Sequence, residues 1–86
     1  MSALATEVEL RDIRQAIDGV DRAIATLLAA RLRLSRLAIL SKAQQGIPIF
    51  DPVREIEVQR GYDGHAPGAS VVAGTILRWC KANHDA

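Results

Sequence analysis

Thr6 followed by Glu9 has the form of a capping box just ahead of an apolar series, and the next credible stop is Gly46 with Pro48. The spacing predicts one unbroken helix between them. Along it Leu10, Ile13, Ile17, Val20, Ile24, Leu27, Arg31, Leu34, Ala38 and Ser41 alternate by three and four, a heptad seam rather than an ordinary amphipathic stripe. At about 1.5 Å per residue the helix would run roughly 55 to 60 Å, longer than a compact domain of this mass. Its seam therefore calls for a second chain, and the expected architecture is all-α: three helices per chain, one very long, in an intertwined homodimer.

Composition agrees. An 86-residue chain makes one small domain, here residues 1–86, and buries little of its own apolar surface. Apolar residues make up 49 % of it and aromatic ones 3 %, a balance that suits helices packed through Ala, Leu, Ile and Val better than a sheet sandwich. Eleven basic and ten acidic side chains argue against nucleic acid as a partner, because such binding rests on neutralising many phosphates. Cys80 stands alone, and His65 and His84 lie far apart, so neither a disulfide framework nor a zinc site is expected. No apolar run approaches the roughly twenty residues that cross a bilayer, and residues 1–6 lack the pattern of a signal peptide. The expectation is a soluble, cytoplasmic protein with no membrane partner.

After a connector over residues 47–50, Asp51 can cap a second helix with Pro52 in its first turn. That helix is expected to fade at Gly61, since Asp63-Gly64 and Pro67-Gly68 are strong turn signals and make residues 61–69 the flexible stretch. A third helix from about Ser70 presents Val72, Ile76, Trp79 and Asn83 at helical spacing and frays in a polar tail.

Two cations face the seam. Arg31 and Lys42 fall within about 20° of each other on the long helix. A buried arginine without a partner is strongly unfavourable, so Arg31 calls for an acidic neighbour or an anionic ligand. One reading is a structural ion pair with Glu55 or an aspartate, or a side chain that snorkels to solvent; the other is a ligand site. Arg14 points close to a right angle away from Arg31 and cannot meet it within one chain. Either it makes an i,i+4 pair with Asp18, or an antiparallel partner helix carries it into the other chain's cavity. Arg54 and Glu55 open the second helix beside the cap Asp51, where Glu55 also suits the helix dipole. Trp79 reads as an anchor of the third helix and Cys80 as a small core residue.

In order, Leu10-Arg11-Asp12-Ile13-Arg14 with Ile17 and Asp21, then Leu27-Leu28-Ala29-Ala30-Arg31, Lys42, and Asp51-Pro52-Val53-Arg54-Glu55 closely resemble the all-helical chorismate mutases. The match spans about two-thirds of the chain. What the family does would account for a site with no nucleophile, no cofactor and no metal: chorismate, with two carboxylates, rearranges to prephenate by a pericyclic shift, so positioning and electrostatics do the work. The resemblance implies that Arg31 and Arg14 of the partner subunit grip the carboxylates. It also implies that Lys42 addresses the ether oxygen, that Glu55 accepts from the ring hydroxyl, and that Asp51 and Arg54 shape the pocket wall.

The third helix departs from the pattern. Many relatives carry there a glutamine that also donates to the ether oxygen, where this chain offers Cys80, Asn83 and His84. The 61–69 stretch and the short tail look like the stand-alone actinobacterial mutases that are activated by docking on DAHP synthase, which makes a DAHP synthase complex an expected partner. Three alternatives remain on the same scaffold: an isochorismate pyruvate-lyase, an aminodeoxychorismate mutase, and a non-catalytic helical regulatory module.

Overall fold

In the computed structural model, which describes residues 3–84 and their side chains from residue 9 onward, helix α1 spans Ala3–Gln45, 43 residues without a break. It starts a turn earlier than the capping-box pattern predicts, so Thr6 lies inside the helix. Ala3, Leu4 and Ala5 are strong helix formers and carry it past that point. It stops where expected. Gly46 adopts φ +70°, a left-handed conformation that favours glycine. The Ile47 N–H donates to the Lys42 carbonyl at 2.9 Å and the Gly46 N–H to that of Ala43 at 3.3 Å, the paired bonds of a Schellman cap.

Helix α2 spans Pro52–His65, with Asp51 in extended conformation as its N-cap. The Asp51 carboxylate accepts from the Arg54 N–H at 3.1 Å, and Pro52 fills the first turn, where its missing N–H costs nothing. The helix does not fade at Gly61; it runs through Gly61 and Gly64 to His65. Each glycine costs a helix roughly 1 kcal/mol, which packing along its other residues can outweigh. Val58, Gln59 and Tyr62 are part-buried, and α2 packs on α3. The predicted flexible stretch shrinks to a turn at residues 66–69, spanned by the Asp63 carboxylate, which accepts from the Ser70 N–H at 2.8 Å.

Helix α3 spans Ser70–Ala82. Its inward stripe is Ala73, Leu77 and Cys80, with Gly74 beside it, one residue on from the predicted Val72, Ile76 and Trp79; His84, past the end of the helix, is exposed and lines the cavity. Ile76 and Asn83 are half-buried at its edge, whereas Val72 is 56 % exposed and Trp79 38 %. The same offset recurs on α1: the part-buried positions of its C-terminal half include Leu28, Leu32, Ser35, Ile39 and Lys42, flanked by Ala30, Arg31 and Arg36.

Among the described residues, Ala73 and Cys80 are the only apolar side chains that are fully buried. The radius of gyration is 18.1 Å, against about 12 Å for a compact chain of this length. The longest dimension is 64 Å, that of α1 itself. From Leu10 to Leu27 the seam is open, its apolar side chains 46–67 % exposed.

Candidate active site

Where the C-terminal half of α1, the 46–51 connector, the start of α2 and the end of α3 converge, they enclose a cavity of about 220 Å³. Five of the six residues singled out in the sequence line it: Arg31, Lys42, Asp51, Arg54 and Glu55. The helix period brings Arg31 and Lys42 to one side, and the Asp51 cap fixes Arg54 and Glu55 on the other.

Arg31 is half-buried, and its Nη1 donates to the Cys80 Sγ at 3.4 Å, a weak acceptor. Neither Glu55 nor an aspartate pairs with it among the described residues. Within the described residues, then, Arg31 has no structural ion pair. Lys42 Nζ donates to the Ile49 carbonyl at 3.1 Å, which ties the connector over the end of α1 and leaves two ammonium N–H groups for other partners. Arg54 pairs with Glu57 at 3.4 Å on the surface of α2, where both side chains are largely exposed.

Two further groups line the cavity: Lys81, which sequence reasoning missed, and His84, which it offered with Cys80 and Asn83 in place of the relatives' glutamine. Lys81 Nζ forms an ion pair with the Glu55 carboxylate and lies 4.6 Å from the centroid of the Phe50 ring. His84 lines the same cavity, its Nδ1 at 2.6 Å from the Lys81 carbonyl. The signal was the spacing by three and four of Leu77, Cys80, Lys81 and His84, a line beside the predicted apolar one.

Arg14 is not at the cavity. It is exposed, roughly 25 Å up α1 from Arg31 at about 1.5 Å per residue, and no ion pair with Asp18 forms. Four cations (Arg31, Lys42, Arg54, Lys81) against two carboxylates (Asp51, Glu55) leave the cavity lining with two positive charges in excess. Such a site favours a small dianion.

The sequence over residues 13–85 matches the family described as chorismate mutase type II. The chain belongs to that family. Among curated proteins it is similar to the T-protein of Haemophilus influenzae, 37 % identical over 67 residues that make up 78 % of this chain. The chain spans only 18 % of that relative's length. No solved structure matches it significantly. The family match covers α1 from Ile13 onward, all of α2 and α3, Arg14 and every cavity residue named above. Among the described residues no group of His, Cys, Asp and Glu is placed to hold a metal ion, and no helix is long and apolar enough to cross a membrane.

Proposed function

We propose that this chain rearranges chorismate to prephenate, and that it does so as a homodimer with two shared sites in the cytoplasm. The observation that carries the reading is the convergence of Arg31, Lys42, Arg54 and Glu55 on one cavity whose excess of two positive charges suits a dicarboxylate. The family supplies the substrate.

In the reaction the ether carbon–oxygen bond breaks as a carbon–carbon bond forms within the same molecule, so no proton, nucleophile or cofactor is required. Arg31 takes one carboxylate through the fork geometry of its guanidinium, exchanging a weak thiol acceptor for a charged one. Arg14 of the partner subunit takes the other. Lys42 keeps its bond to the Ile49 carbonyl, which aims it, and uses a remaining N–H on the ether oxygen, where negative charge grows as the bond breaks. Glu55 accepts from the ring hydroxyl, and Asp51, as helix cap, holds the wall that carries Arg54 and Glu55. Catalysis then rests on holding the substrate in its reactive fold and on a cation already in place.

The dimer is supported by the open seam of α1, whose apolar side chains from Leu10 to Leu27 stay about half-exposed. A DAHP synthase complex is part of the proposal and rests on the resemblance. The test is the ultraviolet absorbance of chorismate, followed with purified protein alone and again with DAHP synthase added. Loss of chorismate matched by prephenate supports the mutase, and a rate raised by the second enzyme supports the complex. No conversion in either mixture would leave a non-catalytic helical module.

A further inference from the structure

We propose that Lys81 is a positioning residue for Glu55: it neutralises and holds that carboxylate so that a dianion can enter a cavity containing it. The inference rests on the mutase reading above.

Glu55 poses a problem that the other cavity residues do not. Its side chain is only 24 % exposed, and a half-buried carboxylate beside a substrate with two carboxylates repels that substrate at close range, where water screens poorly. Asp51 is committed as the cap of α2, accepting from the Arg54 N–H. Arg54 turns to Glu57, and Arg31 to Cys80. Among the described residues, the cation paired with Glu55 is Lys81, from the last turn of α3.

Lys81 is itself held. Its ammonium lies over the Phe50 ring at 4.6 Å, a cation–π contact that restrains a flexible side chain, here 51 % exposed. Its helix end is pinned to α1, where Arg36 Nε donates to the Asn83 carbonyl at 3.0 Å. One ammonium therefore joins α3, the connector and α2 at the cavity edge. It leaves Glu55 its second oxygen as a hydrogen-bond acceptor while cancelling the charge.

The repulsion that Lys81 removes acts on the substrate and on the transition state alike, because both carry the two carboxylates. Its loss should therefore appear in KM and hardly in kcat. Lys81→Met keeps most of the stem and deletes the charge; Lys81→Arg keeps the charge. We expect Lys81→Met to raise KM about tenfold with kcat little changed, and Lys81→Arg to stay near the parent. The decisive variant adds Glu55→Gln to Lys81→Met. If Lys81 acts through Glu55, removing the unbalanced charge should lower KM again, even though kcat falls with the loss of the carboxylate.

An unchanged KM in Lys81→Met, a loss confined to kcat, or a double variant that binds worse than Lys81→Met would each overturn the proposal. The same variants titrated by calorimetry with an inert cyclic dicarboxylate read the effect without turnover. A parent that binds the dicarboxylate, loses it in Lys81→Met and regains it in the double variant, yet converts no chorismate, would refute the mutase reading and keep the role of Lys81. Equal binding by parent and Lys81→Met would refute that role whatever the parent's activity.

Discussion

The two halves of α1 carry the same heptad pattern and put it to different uses. From Leu28 to Lys42 a stripe one residue on from the predicted seam, Leu28, Leu32, Ser35, Ile39 and Lys42, faces the rest of the chain together with Arg31 of the seam itself. From Leu10 to Leu27 the seam itself is exposed along its length. In the packed half, Leu34 on the old seam is left 65 % exposed, with Leu37 and Leu40 also in the open. A helix that is apolar on more than one face is built for the interior of something larger than its own chain. The lesson is that the half with the more polar stripe holds the cavity, and the half with the purer seam awaits a partner.

The strongest way to break this comparison is to charge the open half. In a monomer, Ile24→Asp would be a harmless change at a surface position. If the seam is an interface, it leaves an unpaired charge at a desolvated contact and should abolish the dimer, and with it most of the fold, since among the described residues only Ala73 and Cys80 are buried apolar side chains. Sedimentation and far-ultraviolet circular dichroism would read both losses, and a folded, active Ile24→Asp protein would end the two-chain interpretation.

Next in size are the arginines. Arg14→Ala alters an exposed residue far from its own chain's cavity, and Arg31→Ala one at the cavity, yet each should lower kcat/KM by about a hundredfold or more. Mixing the two inactive proteins after unfolding should restore one intact site per heterodimer. Mixtures as inactive as their parents would show that Arg14 serves no shared site. Lys42→Ala should cost about a hundredfold in kcat with KM little altered, because its partner charge appears only in the transition state. An unchanged kcat would remove Lys42 from the reaction.

The smallest effects test the joints that aim the packed half. Gly46→Ala meets no steric obstacle, but the positive φ should cost about 1 kcal/mol, and Asp51→Ala should cost about 1 kcal/mol through loss of the cap. Thermal melts would measure both. Asp51→Ala should also slow the reaction by loosening Arg54 and Glu55, whereas Gly46→Ala acts mainly on stability, and identical kinetic profiles for the two would argue against a special role for the cap.

Reading from the residues, the long helix, its stop at Gly46, the Asp51 cap and the pairing of Arg31 with Lys42 on one face were all legible, because each depends on neighbours within a few turns. Arg54 and Glu55 were legible through the same cap. The end of α2 was misread at Gly61 because local turn propensity is outweighed by packing on α3, which no window of sequence contains. Lys81 was missed for a related reason. On both α1 and α3 two apolar stripes lie one residue apart, and periodicity shows that each exists without saying which one its own chain will cover.

What the sequence by itself determined, then, is a set of helices, their caps and a line of cations, all consequences of short-range geometry and of which side chains avoid water. Only the tertiary structure decided which stripe turns inward, and so which residues meet: Arg31 with Cys80, Lys42 with the Ile49 carbonyl, and Glu55 with Lys81. Those pairings join residues far apart in the chain or across a turn. They are set by how small residues such as Ala73 and Gly74 let α3 approach its neighbours, a matter of volume and fit rather than of pattern.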